Sequence, residues 1–387
     1  MSISRRYLAF TGIRSDYDLL SGVYRQLHTL EDTDIGLVVS MAHMSSTYGR
    51  TVRFVEDDAV PIVARIEALL DSDSLSGRVK SAAILLQSCI HSVVAFAPDA
   101  IIVAGDREDA LMGAIVGIYL GLPVLHFFGG DHAADGNVDN PVRHAISKLA
   151  SAHFVTHAQH RERLMRMGEP DARIHVVGNP ALDRFREEET WDRAKLLAEM
   201  GEPGWNMYAL VMFHSIQGRE DASSEDFEVI LETLRSLGLP AFVSAPNSDA
   251  GSRAILDVIE HHRGDKSFHF YTNLSRVHFV NLMRHAAIMV GNSSAGLLEG
   301  PTVPLGVVNV GDRQRGRLAA KNVRFVGTSP EDVRAGIEVV LGESFQQSLS
   351  NITSPYGDGH SVSYIVEVLR TLDPTAIAKK VEDPLSL

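Results

Sequence analysis

Between Pro98 and Lys148 the chain passes through strand, charged turn, helix, strand, glycine turn and helix, and this order leaves few folds open. The apolar run Ala100–Ala104 stops at Gly105–Asp106–Arg107, and a helical pattern follows from Asp109 to Leu120. Pro123 opens a second apolar run, Val124–Phe128, which ends at Gly129–Gly130–Asp131. A third helical run starts near Asp139 and carries Arg143, His144 and Lys148. Short apolar strands alternating with helices pack as a parallel sheet, and the strand ends converge on one crevice. Taken singly, Asp106, Asp131 and Asp139 read as turn or capping residues. Three such acids at consecutive edges, with Arg107 and His144 beside them, read as a site.

The same alternation runs upstream and downstream. Tyr7–Thr11 reads as a strand, and Gly12–Tyr17 turns it into a helix toward Leu30. There Gly12 allows close backbone approach and Arg14 stands beside a helix N-terminus, a setting suited to phosphate. Ile35–Ser40 is the next strand, followed by His43. Pro61–Leu70 and Gly77–Ala95 read as helices, and Ala152–Val155 and Ile174–Gly178 as strands around a helix at His157–Gly168. Glu187–Pro203 is charged and poor in large apolar residues, which places a domain junction there.

A second alternating block begins with the strand Met207–Phe213, ending at His214–Ser215. Its helices are Ser224–Leu237, Ser252–His262 and Arg276–Arg284, and its strands are Ala241–Ser244, Ser267–Tyr271, Ala287–Val290 and Pro304–Asn309. The turn Gly291–Asn292–Ser293–Ser294–Ala295–Gly296 opens a helix that includes Glu299. Small residues with hydroxyls and free N–H groups at such a turn form an anion cradle. Arg313, Arg315 and Arg317 follow the last of these strands. Arg315 and Arg317 read as a solvated loop, Arg313 as a phosphate contact. A final helix, Ser361–Leu372, precedes a polar tail.

Composition removes several function classes. The 387 residues are 45% apolar and 22% charged, which suits two globular domains. A net charge of −13 argues against nucleic acid or an anionic membrane as partner. One cysteine, Cys89, excludes an internal disulfide framework and suits a reducing compartment. No signal peptide is visible, and the apolar segment Leu111–Phe128 reads as a helix followed by a strand because Gly121 and Pro123 interrupt it. A soluble, cytoplasmic protein is expected. No His/Cys/Asp cluster has metal-ligand spacing, and no GxGxxG follows the first strand, so neither a metal nor a nicotinamide cofactor is expected.

Several of these segments, in this order, resemble the hydrolysing nucleotide-sugar 2-epimerases of sialic-acid and related nonulosonic-acid biosynthesis. They are Gly12–Tyr17, His43 with Tyr48–Gly49 and Thr51, Gly105–Asp106–Arg107, Gly129–Gly130 with a following acid, and Asp139 with Arg143–His144–Ala145–Ile146 and Lys148. In the second half they are Phe213–His214, Pro246–Asn247 with Asp249, Gly291–Asn292–Ser293–Ser294, and Arg313–Gln314 with Arg317. The resemblance implies two Rossmann-like, doubly wound parallel-sheet domains facing across a cleft, the glycosyltransferase-B type. Domains are expected at residues 1–186 and 187–358, with residues 359–387 a C-terminal helix packing back on the first.

The activity implied is removal of the C2 proton of a UDP-N-acetylhexosamine, elimination of UDP and hydration to the free 2-epimer. UDP-N-acetylglucosamine giving N-acetylmannosamine is the first expectation. UDP-N,N'-diacetylbacillosamine giving 2,4-diacetamido-2,4,6-trideoxymannose is the alternative, and a glycosyltransferase of the same fold is the rival class. The residues implied for catalysis are Asp106, Asp131, Asp139, His214 and Arg107. Those implied for the UDP-sugar are Arg14, Asp18, His43, Arg107, Arg143, His214, Asn247, Ser293, Ser294, Glu299 (on ribose) and Arg313. The chain departs from the family at Phe128, where members carry Glu or His, and an apolar group by the sugar favours a deoxy or N-acylated substrate. No cofactor is expected, and a homo-oligomer, dimer or tetramer, completes the expectation.

Overall fold

The computed structural model describes residues 5–70, 72, 74–133, 138–216, 219–247, 249 and 251–384. Parts of the loop before Asp139 and of the turn Ala245–Gly251 lie outside the described residues. The first sheet contains β1 (Arg5–Thr11), β2 (Thr33–Ser40), β3 (Ile62–Ile66), β4 (Ala100–Ala104), β5 (Val124–Phe127), β6 (Ala152–Val155) and β7 (Ile174–Val176). Between them run α1 (Arg14–His28), α2 (Val52–Asp57), α3 (Leu75–Phe96), α4 (Glu108–Tyr119), α5 (Asp139–Leu149) and α6 (Ala158–Arg166).

The strands are parallel, in the order β3-β2-β1-β4-β5-β6-β7. Helices cover both faces, so the strands are apolar on both sides. Tyr7 and Ala9 of β1 enter one core while Leu8 and Phe10 enter the other. The strand order reverses between β1 and β4, and a doubly wound sheet opens its ligand crevice beyond the strand ends at such a reversal. The turns at that point are those that begin with Gly12 and Gly105.

The chain then enters a second unit through α7 (Arg184–Glu187) and α8 (Arg193–Glu199). Its sheet contains β8 (Ala209–Met212), β9 (Ala241–Ser244), β10 (Phe268–Tyr271), β11 (Ile288–Gly291), β12 (Val307–Val310) and β13 (Val323–Val326). The accompanying helices are α9 (Glu220–Ser236), α10 (Ser252–His261), α11 (Arg276–His285), α12 (Ala295–Leu298), α13 (Pro330–Leu341) and α14 (Glu343–Ser348). Strand order is β10-β9-β8-β11-β12-β13, again parallel, with its reversal between β8 and β11.

Gly359 returns the chain to the first unit, where α15 (Ser361–Thr371) and α16 (Pro374–Ile377) complete it. Val362, Ile365, Val366 and Leu369 of α15 join the core formed by α1 and β1. Asp183, the last residue of the first unit before the crossing, accepts the N–H groups of Ser361 (3.0 Å) and Val362 (2.8 Å) and so caps α15. The Tyr7 hydroxyl donates to the Leu369 carbonyl at 2.7 Å. Beyond α16, Arg173 donates to the carbonyls of Ile377 (2.9 Å) and Lys379 (2.8 Å), and Lys380 pairs with the buried Glu169.

Two readings of the sequence change. Pro61–Leu70 is not a helix, because Ile62–Ile66 pairs with β2 as the edge strand β3. Its apolar residues also fit helical spacing, and pairing with a neighbouring strand decides the matter. The stretch Glu187–Pro203 contains α8, whose Leu196 and Leu197 are buried in the second unit with Met200 beyond the helix end. Leu111–Phe128 divides into α4 and β5 as expected. Among the described residues the helix long and apolar enough to cross a membrane is α3. Gly77, Ser81, Leu85, Cys89 and Val93 form its buried row, whereas Val79 and Val94 are exposed.

Candidate active site

In the first unit the deciding group is Arg143 on α5. Its guanidinium pairs with Asp106 in a close contact and with Asp131 at 3.3 Å. Asp106 lies in the turn after β4 and Asp131 in the loop after β5, so neighbouring strand ends bring the two acids to one cation. One arginine therefore holds both carboxylates in place. The other Asp131 oxygen accepts the His132 N–H at 2.8 Å and faces His160 Nε2 at 3.5 Å. Asp139 is the first residue of α5, where the helix N-terminus favours its charge. The His144 and His132 rings stack with centroids 5.7 Å apart. Burial, His132, Arg143 and Arg163 together push His144 below its usual range, with Asp131 opposing them.

The turn after β1 is gripped from two sides. A Cβ on Gly12 would lie 2.5 Å from Asp109 Oδ1, so only glycine fits there. Asp109, at the start of α4, is 2% exposed, and burial raises its pKa against the pull of Arg107 and of the N–H groups of Asp109 and Gly12. On the other side the His43 N–H donates to the Gly12 carbonyl at 3.1 Å. The His43 ring is fully buried, with Thr11 Oγ1 3.0 Å from Nε2 and Thr51 Oγ1 2.8 Å from Nδ1. Burial takes its pKa down to about 4. His43, expected to meet substrate, therefore stands behind the turn as a neutral support. Arg14 pairs with Asp18 at 3.1 Å and lies over the Phe54 ring at 4.1 Å. Asp18 is thus a partner of Arg14, and a ligand phosphate would compete with it.

The second unit presents a separate constellation at its own reversal point. Asn292, fully buried after β11, accepts the His214 N–H and donates to the His214 carbonyl, both at 2.8 Å. His214 Nδ1 accepts the Asn247 N–H at 3.2 Å. Asn247 donates to Asp249 at 2.6 Å, and Arg313 lies 3.9 Å from the same carboxylate oxygen. The Asn292 carbonyl receives Arg313 (3.2 Å) and Gln314 (3.0 Å). Ser293 and Ser294 begin the turn into α12. Arg313 Nε and Ser215 Oγ are buried without a hydrogen-bond partner, and such atoms call for an explanation. An anion is one that suits both. Ser215 was visible only as the end of a strand, and Gln314 as part of the Arg313–Gln314 segment without a role of its own.

Three other residues are engaged within the protein itself. Glu299 is buried and paired with Arg184, so a ribose would have to share it. Phe128 has φ +63 and packs against the first unit's core. Lys148 pairs with the buried Glu169 at 2.6 Å and ties α5 to the segment before β7. Glu228, Glu232 and His262 bring three ligand atoms within 4.8 Å, a group hidden in sequence because His262 comes from another helix end. His262 Nε2 lies 2.8 Å from Glu228, and Glu232 is paired with Arg235.

Residues 25–370 match the family described as UDP-N-acetylglucosamine 2-epimerase. The chain belongs to that family. The hydrolysing UDP-N,N'-diacetylbacillosamine 2-epimerase of Legionella pneumophila is 31% identical, over 95% of this chain and 96% of that one. The UDP-N-acetylglucosamine 2-epimerase of Neisseria meningitidis serogroup B is also 31% identical, over 82% of this chain and 83% of its own length. In fold, the chain is similar to the Methanocaldococcus jannaschii UDP-GlcNAc 2-epimerase crystallised with UDP-GlcNAc and UDP. That match has a TM-score of 0.78 at 18% identity, covering 94% of this chain and 99% of that one. As a 2-epimerase family member the chain is an enzyme with two parallel-sheet α/β units.

Proposed function

We propose that the chain is a hydrolysing 2-epimerase of a UDP-N-acetylhexosamine. The observation that carries this reading is the pairing of Asp106 and Asp131 on Arg143 at the strand ends of the first sheet. Inverting C2 requires a positioned base for a proton of very low acidity, and a cation shared by two carboxylates fixes where both stand. Asp106 is the proposed base, with Asp131 and Asp139 handling water and the returning proton. Loss of the C2 proton and of UDP from C1 leaves a glycal. Water then supplies hydroxide to C1 and a proton to the opposite face of C2, so one water is consumed and UDP is released. In the second unit Arg313, Ser293, Ser294 and the His214 turn are the groups suited to a diphosphate.

UDP-N-acetylglucosamine is the first substrate. UDP-N,N'-diacetylbacillosamine is the second reading, favoured by the Legionella relative's match over nearly the whole chain. Incubation with each nucleotide sugar in D2O, followed by NMR, tests both. Released UDP should accompany a free sugar inverted at C2 and carrying deuterium there. A released sugar with its original C2 configuration and no deuterium would turn the assignment toward the glycosyltransferase class, because transfer chemistry touches only C1.

A further inference from the structure

We propose that His160 is a positioning residue for Asp131, holding one carboxylate oxygen from α6 while Arg143 holds the other from α5. The inference rests on Asp131 being one of the acting acids.

His160 is 2% exposed and lies in the first turn of α6. Its Nδ1 is 3.1 Å from Thr156 Oγ1, and its Nε2 is 3.5 Å from Asp131 Oδ1. Only one neutral tautomer suits both neighbours. With the proton on Nδ1, the Nε2 lone pair would face a carboxylate oxygen. With the Thr156 hydroxyl donating to Nδ1, Nε2 carries its N–H toward Asp131. At 3.5 Å this is a directed electrostatic contact, of the kind that tightens once substrate is bound.

The rest of the same helical turn reinforces the grip. Arg163, three residues on, donates to the Gly130 carbonyl. Gly130 has φ +75 and lies so close to α6 that a Cβ would sit 2.4 Å from the His160 carbonyl oxygen. Backbone and two side chains of one turn therefore hold Gly130–Asp131 directly. Arg143 approaches Asp131 Oδ2 from the opposite side at 3.3 Å. A carboxylate anchored at both oxygens has its plane held in a fixed orientation. Misplacement of a reacting group by about 1 Å costs roughly 100-fold in rate, so losing one anchor should appear in turnover.

The test measures kcat and KM for the epimerase reaction in His160→Ala, His160→Gln and Thr156→Val. His160→Ala should lower kcat by about 10- to 100-fold with KM nearly unchanged. His160→Gln, which places an amide N–H near the Nε2 position, should recover much of the loss. Thr156→Val leaves the ring in place but frees its tautomer, and should lower kcat without the packing change, a second route if His160→Ala fails to fold. A cycle with Asp131→Glu, which moves the carboxylate off His160, should show no further fall when His160→Ala is added. Wild-type kcat in His160→Ala, or multiplicative losses in the double variant, would overturn the proposal and leave His160 a packing residue. Asp131→Asn separates the two levels. Full turnover there would remove Asp131 and this inference together, whereas loss of turnover there with an unimpaired His160→Ala would remove the inference alone.

Discussion

Arg143 pairs with two acids at once in the first unit, and Asp106 there and Arg313 in the second unit should fail in different ways. Asp106→Asn should keep its contact volume and lose its basicity, lowering turnover about 100- to 10,000-fold. UDP binding, read by calorimetry, should stay near the wild-type value, since the groups suited to diphosphate lie on the other sheet. Arg313→Ala should do the reverse, weakening UDP by roughly 10- to 150-fold, because a hydrogen bond to a charged group contributes about 1.5–3 kcal/mol. If Asp106→Asn turned over normally, or Arg313→Ala bound UDP normally, that residue would return to the role of a turn or surface charge. The sequence showed both residues, since each follows a strand at a glycine turn. It did not show that Arg143 joins Asp106 to Asp131, because residues distant along the chain meet only through strand order. The burial of His43 was hidden for a related reason. A histidine after a strand looks the same whether it faces solvent or lies between two threonines under a turn.

At the scale of elements, the turns after β1 and β4 rest on buried neutral imidazoles. Burial places His43 at about 4 and His126, which lies beneath the Gly105 carbonyl at 2.8 Å, at about 3. Both folded values lie below the ordinary 6.5, so the unfolded chain takes up protons first as pH falls. Their stability is complete above about 6.5 and drains away toward pH 4, by on the order of 3 kcal/mol for His43 alone. Glu169 follows lower down. Burial opposes its charge, but contacts from His153, Lys148 and Lys380 bring it to about 2, so its contribution is lost between 4.5 and 2. Thermal melts across pH should decline from about 6.5 downward, and His43→Gln should flatten part of that decline. A melting temperature constant down to pH 4.5 would exclude neutral histidines as its source. Several strands here were legible because a glycine marks the end, as at β1, β4, β11 and β12. β3 was not, since its five residues fit a helix until β2 pairs with them. The strand β13 and helix α13 passed unread because β13 is a short edge strand with Arg324 in its middle.

At the scale of the molecule, the two sheets were predictable from alternation alone, but the path of the chain was visible only in part. A terminal helix announced itself by spacing, while its partners Leu20, Val23 and Leu27 depended on the fold. Ending the chain at Asp358 should therefore damage the unit that begins it. The truncated protein should lose the cooperative melting of the first unit while residues 184–358 retain theirs, as read by hydrogen exchange. Normal protection of β1 and α1 in that truncation would show that α15 is dispensable. There is also a consequence for synthesis. On the ribosome the second unit has all of Arg184–Asp358 in hand before the last helix emerges. The first unit, started earlier, must wait with its α1 face uncovered until α15 has been made. A frameshift just before α15 would thus register as a folding defect in β1 and α1, more than three hundred residues upstream.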